Sequence, residues 1–360
     1  MMWLWLWGIG LHAEEPIDQA MTLINAHFPT QFESSQLQHA ALQGITEHLN
    51  QQQASTENKV LTAEAHAAQQ AHQRGQRTGI GALYQLVSGQ GLLLNHVFPS
   101  GPAATAGLQR GDVIVAINDH PFTGQTADDI FNTVHLETQR PTITLDVRRE
   151  HRHHRFELQR DVYNIPSAFV HPEESDCIVL LFFGDGAAQT LKTLMAQRDP
   201  TRGLLIDMRD NQGGQLSEAI AAASLFLDPG TRITTLHDSD GAENIFVAEG
   251  GRRWTAPLIL LINERTAGVA EAFVSALHDH NVAQLSGTQT AGQAHLPQHY
   301  PLEMGLVLQL GNAMLRSPSG QNWNATGITP DLWIESVSDS PSGILPDVQL
   351  RVASGLLRDP

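Results

Sequence analysis

Changes in the pattern of apolar and polar residues divide the chain into four segments. Residues 1–13 form a short apolar run, and residues 14–77 are polar and rich in Gln and Ala. Residues 78–160 and 161–360 contain apolar runs of strand length that alternate with glycine turns and helical patterns. Within the second segment, LQHAALQGITEHL has apolar residues at helical spacing, so the sequence predicts two or three helices there.

The third segment predicts several short strands and two helices. SGPAATAGLQRGDVIVAIN (Ser100–Asn118) begins with a proline turn and a short helix, and it ends in the strand Val113–Ile117. Residues Thr126–Leu136 predict a second helix. Two further strands are predicted at Thr142–Arg148 and Phe156–Leu158, joined by the basic turn RREHRHHR.

The histidines of that turn, His151, His153 and His154, are of a residue type that can bind a metal. A metal needs ligands that converge from fixed positions, and a hairpin tip is usually a solvated face. We therefore predict no metal site.

The fourth segment alternates strand and helix patterns, which is typical of an α/β core. The predicted strands and helices are, in order, Cys177–Phe183, Gly186–Arg198, Gly203–Met208, Gln215–Phe226, the strand–turn–helix APLILLINERTAGVAEAFVSALHDH (residues 256–280) and a terminal helix at Leu345–Leu357.

Composition narrows the range of partners. The formal net charge of −17 argues against nucleic acid and anionic membrane surfaces. No internal run is long enough to span a bilayer, and Cys177 is the only cysteine, so no intrachain disulfide can form. The run that ends at Ala13 predicts export to the periplasm or the exterior, and an uncleaved membrane anchor is the alternative.

Gly268 occupies the turn between an apolar strand and an apolar helix. Free backbone N–H groups at such a helix N-terminus can stabilise an oxyanion. The stretch resembles the active-site segment of the carboxy-terminal processing peptidases, which are tail-specific serine proteases with a PDZ domain. Their motif Asn-Glu-Gly-Ser-Ala-Ser-Ala-Ser-Glu carries the catalytic serine three residues before the glutamate. Here the glutamate is Glu271, so the resemblance puts the nucleophile position at Gly268.

The general base of that family is a lysine in a Gly-Thr-x-Thr-x-Gly-Lys-Gly segment. The matching residues run from Gly287 to Ala294, and the lysine position is Gln293. Glycine has no attacking atom, and a glutamine amide cannot accept a hydroxyl proton. The sequence therefore predicts that the catalytic dyad is absent.

The resemblance also implies other site residues. LLIDMRDNQGG, which ends at Gly214, corresponds to the family's oxyanion block, so the oxyanion donors would be Gly213 or Gly214 together with Val269. In the PDZ-like segment the carboxylate-binding loop contains Gly79, Ile80, Gly81 and Ala82, and the apolar wall of the peptide groove is formed by Ile130, Phe131 and Val134. Any of these apolar residues could equally serve only as core.

The resemblance leads to expectations about the fold and the function of the protein. The resemblance implies a multidomain α+β and α/β protein with N-terminal helices at 14–77, a PDZ domain at 78–160 and a ClpP/crotonase-like protease core at 161–360. We expect an inactive pseudopeptidase that binds polypeptide C-termini or unfolded segments. No cofactor is implied, and the N-terminal helices are candidates for forming a homo-oligomer.

Two alternatives stay open. One is an active serine-type endopeptidase with a non-standard site built on Thr266 or Ser275 and one of four histidines: His278, His280, His295 or His299. The other is a scaffold or regulator of another protease.

Overall fold

The computed structural model describes residues 16–30, 32–53, 57–87, 89–137, 139–238, 240–251, 254–335 and 347–358. The predicted export segment at residues 1–13 lies outside these ranges. The chain forms two compact units, one of Met1–Ala63 with His299–Leu310, and one of Glu64–Gln298 with Gly311–Pro360. Among the helices described, none is both long enough and apolar enough to cross a bilayer.

Helices and strands alternate along the described chain. The helices are α1 (Pro16–His27), α2 (Ser34–Gln53), α3 (Ala63–Gln73), α4 (Pro102–Thr105), α5 (Ala127–Glu137), α6 (Ala187–Ala196), α7 (Leu216–Ala223), α8 (Val269–Asp279) and α9 (Val348–Arg358), with a 3-10 turn at Glu303–Gly305. The strands are β1 (Lys59–Thr62), β2 (Gln76–Gly79), β3 (Ala82–Val87), β4 (Gly91–Val97), β5 (Val113–Ile117), β6 (His120–Pro121), β7 (Thr142–Arg149), β8 (Arg152–Gln159), β9 (Asp161–Asn164), β10 (Ala168–Val170), β11 (Cys177–Leu180), β12 (Leu204–Asp207), β13 (Arg232–His237), β14 (Glu243–Val247), β15 (Leu258–Ile262), β16 (Gln284–Gly287), β17 (His295–Pro301), β18 (Leu306–Arg316) and β19 (Leu332–Trp333).

The first unit contains the predicted N-terminal helices and a strand that the sequence did not predict. α1 and α2 are helical as expected. Strand β1 pairs antiparallel with Leu306–Gln309 at the start of β18. The Asn50 side chain holds the entry to β1, because it donates to Asn58 O at 2.9 Å and accepts Asn58 N–H at 3.0 Å.

The PDZ region is a sheet in the order β3-β4-β5-β7-β8, with β6 paired to β5. Its interior is a cluster of buried aliphatic side chains that includes Leu94, Ile143 and Leu145. The prediction that RREHRHHR forms a turn was wrong. β7 and β8 pair up to Arg149 and Arg152, so the turn itself is only Glu150 and His151. Ladder hydrogen bonds to β7 hold the charged residues in a strand despite their low strand propensity.

The core sheet has the order β10-β11-β12-β15-β16-β19. Within this sheet β11, β12, β15, β16 and β19 are parallel to one another, and β10 pairs antiparallel with β11 at one edge. Successive side chains of a strand point to opposite faces of the sheet. Since helices cover both faces of this sheet, the side chains on both faces are apolar. Ile178, Ile206 and Leu260 pack with α6, α7 and α8.

The opposite face of this sheet is covered by α9. Cys177, Leu205 and Ile259 pack there against Leu350 and Ala353. Cys177 is a buried free thiol, as predicted, and burial raises its pKa well above its usual range. The fold class, a multidomain α+β protein with a PDZ domain and an α/β protease-type core, is confirmed.

Candidate functional site

The candidate site lies where two neighbouring parallel strands end. β12 and β15 pair in register from Leu204 and Leu258 onward, so their carboxyl ends reach the same edge of the sheet. That edge is where ligands bind in open α/β sheets. Hydrogen bonds tie the two following turns together, since Ala267 N–H donates to Asn211 O at 2.9 Å and Asp210 N–H donates to Asn263 Oδ1 at 2.9 Å.

Gly268 is the N-cap residue of α8. Its backbone has φ 65° and ψ −126°, a conformation that residues with a Cβ rarely adopt. A Cβ built at this position would have only Gln212 O within 4 Å, at 3.7 Å. The backbone at this turn therefore favours glycine, yet the turn leaves room for a small side chain.

Glu271 joins the nucleophile and base positions of the predicted site. Its carboxylate is fully buried and accepts four hydrogen bonds. Oε2 accepts Gly268 N–H at 3.1 Å and Gln293 N–H at 2.8 Å, and Oε1 accepts Gly292 N–H at 2.8 Å and the Thr290 hydroxyl at 2.5 Å. Burial raises the pKa of this carboxyl, and the four donors oppose that shift.

Gln293 is brought to Gly268 by this shared oxygen. Its backbone is fixed by Glu271, and its side chain is exposed. The Gln293 side chain is a neutral amide, which cannot take a proton from a hydroxyl as a general base must. The structure thus places the two predicted dyad positions beside each other, with neither a nucleophile nor a base on them.

The oxyanion candidates differ in how their N–H groups are used. Gly213 N–H donates to Asn211 Oδ1 at 2.9 Å. Within the described residues, the N–H groups of Gly214 and Val269 have no protein acceptor. A Cβ on Gly213 would lie 3.1 Å from Val269 N, so the glycine turn and the start of α8 are in close contact. An oxyanion is stabilised by free N–H donors of this kind, provided that they converge on one point.

The alternative hydroxyl groups are already bonded inside the core. The Thr266 hydroxyl is fully buried and donates to Met208 O at 3.0 Å. The Ser275 hydroxyl lies in the second turn of α8 and donates to Ala272 O at 3.1 Å. Neither group points toward the free amides as a nucleophile would have to.

The four candidate histidines have other partners. His278 contacts Asp331 at 3.0 Å, His280 contacts Arg232 O at 2.7 Å and His295 contacts Asn324 at 3.1 Å. His299 belongs to the first unit and contacts Gln309 there. None of these hydrogen bonds joins a histidine to Thr266 or Ser275 in the part of the chain that the structure describes.

Two residues of the site were missed in the sequence. Asn211 is fully buried, and its Nδ2 donates to Leu180 O at 2.9 Å while its Oδ1 holds the Gly213 turn. Thr290 donates to Glu271 and accepts Ile328 N–H at 2.7 Å. Each of these residues lies two positions before a glycine of its motif, Gly213 or Gly292. This closeness in sequence was the signal that could have indicated their role.

Aromatic packing fixes the helix behind the site. Phe273 of α8 lies 5.4 Å from Phe183 and 6.2 Å from Phe226, measured between ring centroids. The backbone of Phe183 also binds the glycine block, because its N–H donates to Gly213 O at 2.8 Å and its carbonyl accepts Gln215 N–H at 2.7 Å. The turn and the helix therefore form one rigid support.

The PDZ loop is shaped by a close backbone contact. Gly81 has φ +80°, and a Cβ there would lie 2.7 Å from the Cα of Gly101, so the loop requires glycine. Ile80 is buried and contacts the same apolar cluster as Ile130 and Val134. Phe131 is 49% exposed on α5. Of the three residues predicted for the groove wall, only Phe131 is on the surface.

No group of three or more His, Cys, Asp or Glu side chains is arranged to hold a metal ion in the described ranges. His153 and His154 lie on β8 and not at a hairpin tip.

Arg265 lies three residues before Gly268 and forms an ion pair there. Its Nε donates to Asp210 Oδ1 at 2.7 Å.

Comparison with known proteins identifies both domains. Residues 178–334 match the model of peptidase family S41, and residues 96–149 match that of the PDZ domain. A probable CtpA-like serine protease of Staphylococcus aureus (strain COL) is 24% identical over 338 residues, which are 92% of this chain and 67% of that protein. The corresponding protein of Staphylococcus haemolyticus (strain JCSC1435) is 24% identical over 335 residues, 92% of this chain and 66% of its own length.

The chain is thus similar to the carboxy-terminal processing peptidases in both its PDZ region and its peptidase region. Solved structures show the same fold. A putative S41 protease from Bacteroides fragilis NCTC 9343 superposes with a TM-score of 0.63 at 16% identity, covering 94% of this chain and 97% of that one. The photosystem II D1 C-terminal processing protease gives a TM-score of 0.54 at 20% identity, covering 94% and 90%. Gly268, Glu271 and Gln293 all lie inside the match to peptidase family S41.

Proposed function

We propose that the protein is a non-catalytic carboxy-terminal processing peptidase homologue that binds polypeptide C-termini through its PDZ domain. The proposal rests on one observation: Glu271 Oε2 accepts the backbone N–H groups of both Gly268 and Gln293. The backbone at Gly268 and Gln293 is arranged as a site, but neither residue has the side chain that acyl transfer needs.

The chemistry supports this conclusion. Nucleophilic peptide hydrolysis needs an attacking atom and a base that takes its proton. Oxyanion donors and binding alone leave a residual acceleration of about 10³–10⁴ over water in the best-studied triad enzymes. The amides of Gly214 and Val269 could supply no more than this, which is too little for useful proteolysis.

Peptide binding is supported by the edge of the PDZ sheet. β3 is the edge strand, and it begins directly after the Gly79–Gly81 loop. Leu83 and Tyr84 on β3 are each 37% exposed, and Phe131 is exposed on α5. An extended peptide can therefore add to β3 as a further strand, with its terminal carboxylate at the loop.

Titration with matched peptides tests the PDZ proposal. Peptides with a free carboxyl end should bind at least about tenfold more tightly than the same peptides with an amidated end, because charge-assisted hydrogen bonds are lost. Phe131→Ala should weaken binding about tenfold. Leu136→Ala, on the same helix and 68% exposed, is the matched control and should bind as the wild type does. Equal affinity for the two peptide forms would contradict carboxylate recognition, and equal loss in both variants would contradict the groove assignment.

We also propose that α1 mediates self-association. None of its residues is buried, and it exposes Ile17 and Ile24, which lie seven residues apart and so on one face of the helix. Sedimentation across a concentration series should show a dimer or larger species that Ile24→Asp abolishes. A wild-type protein that stays monomeric at every concentration would rule this out.

A further inference from the structure

A cluster of three rings joins the PDZ domain to the protease-like core. His96 of β4 stacks on Phe169 of β10 with ring centroids 4.2 Å apart and an interplanar angle of 24°. Phe98 meets His96 edge-on at 4.8 Å and Phe169 at 6.3 Å. Because β10 is the edge strand of the core sheet, these three rings form a direct contact between the two folds.

Positive groups surround the His96 imidazole in this contact. Burial lowers the pKa of His96, and the nearby Arg110 and His171 lower it further. Arg110, on the PDZ side, also forms an ion pair with Glu173 on the core side. A proton on His96 would therefore add a positive charge beside the Arg110 guanidinium in a partly buried junction.

One hydrogen bond of His171 can form only while the imidazole ring is neutral. Its Nδ1 accepts Glu173 N–H at 3.2 Å, which a doubly protonated ring cannot do. Burial lowers its pKa, Arg209 lowers it further, and three carboxylates oppose the shift: Asp207, Asp347 and Glu173. The three carboxylates do not outweigh burial, so the pKa of His171 is lowered overall.

We infer that neutral His96 and His171 hold the PDZ domain against the core, and that mild acidification loosens this contact. Protonating His96 places a cation over the Phe169 ring, which gains a cation–π attraction. Burial of the charged ring and repulsion from Arg110 act in the opposite direction, and protonation of His171 would add to that repulsion.

The direction of the pH effect follows from linkage. A histidine with a lower pKa in the docked state than in the released state takes up a proton on release. The docking contribution is then fully present above the ordinary value of 6.5, and it is lost as the pH falls from there through the docked value. Each full unit of difference changes the docking equilibrium at most tenfold.

Hydrogen exchange on the full chain at pH 7.5 and 5.5, corrected for intrinsic rates, tests the inference. Protection of β4 and β10 should fall about three- to tenfold at the lower pH, while that of α8 stays constant. The variant His96→Phe/His171→Asn keeps a ring on Phe169 and an acceptor for Glu173 N–H, and it should lose the pH response. The matched variant His153→Phe/His151→Asn, on exposed residues of the β7–β8 hairpin, should respond as the wild type does.

A second measurement does not depend on how the variants fold. In an NMR titration of the wild type, the His96 ring should titrate below 6.5. A midpoint at or above that value, protection that does not change with pH, or the full wild-type response in the His96→Phe/His171→Asn variant would each overturn the inference.

Discussion

The backbone N–H of Gln293 donates to Glu271 Oε2 at 2.8 Å. The same oxygen accepts Gly268 N–H, so one buried atom holds the two positions to which the resemblance assigns the base and the nucleophile. This geometry depends on backbone amides and one carboxylate. It therefore does not require a serine at position 268 or a lysine at position 293.

Removing the Glu271 carboxylate should destabilise the protein strongly. Glu271→Gln replaces an acceptor oxygen by an NH₂ group that faces backbone donors, and at least one buried donor loses its partner. We expect the free energy of unfolding to fall by about 2–4 kcal/mol, measured by denaturant titration. Glu264→Gln is the matched control, because Glu264 is exposed and accepts only the Thr288 hydroxyl. It should change stability by less than about 0.5 kcal/mol, and equal losses would refute the role given to Glu271.

The glycine at position 213 should be required for space as well as for conformation. Gly213 has φ +92°, and an added Cβ would lie 3.1 Å from Ala267 O and from Val269 N. Gly230 has φ +80° with nothing within 4 Å, so Gly230→Ala measures backbone strain alone. We expect Gly230→Ala to cost about 1–2 kcal/mol and Gly213→Ala about 1–3 kcal/mol more. Thermal unfolding of the two variants compares them, and equal costs would show that the turn does not press on α8.

Asp347 should anchor the last helix in a pH-dependent way. It accepts Leu350 N–H at 2.9 Å at the start of α9 and binds the Arg209 guanidinium at 2.6 Å. Burial acts to raise the pKa of Asp347, but Arg209 outweighs it and the pKa is lowered. The contribution of this group is thus present above its ordinary value of 3.8 and is lost as the pH falls through the folded value.

Asp347→Asn keeps a capping oxygen and loses the ion pair. Because the Asp347 side chain is 37% exposed, we expect a modest cost of about 1 kcal/mol near pH 7. The difference from the wild type should shrink below pH 4 in acid unfolding curves. Asp119→Asn removes one carboxylate from an exposed pair with Arg155 and serves as the control, with a cost near zero. A cost for Asp347→Asn that does not change between pH 7 and pH 3 would contradict the ion-pair account.

The strand–turn–helix at Gly268 could be predicted because its signals are local. An apolar strand, a polar turn and a helix with apolar residues at helical spacing specify the local fold there. The partners of Glu271 could not be predicted in the same way. They come from the Thr290–Gln293 segment, and only the folded chain brings those donors to the carboxylate.

Other elements are decided by tertiary pairing and lack a local signal. β1 has four residues in a polar region and becomes a strand because Leu306–Gln309 lies beside it. The RREHRHHR segment has the composition of a turn but continues two strands, because its backbone pairs in the β7–β8 ladder. Ile130 and Val134 were predicted for the groove wall, and burial alone distinguishes them from Phe131.

A proteolysis assay on an unfolded protein substrate tests the central claim most directly. It compares the wild type with Gly268→Ser, Gln293→Lys and the double variant. The open space at Gly268 admits the serine, at a backbone cost of about 1–3 kcal/mol. We predict no cleavage by the wild type or by either single variant, and cleavage by the double variant. Cleavage by the wild type that disappears in Thr266→Ala or Ser275→Ala would contradict the account.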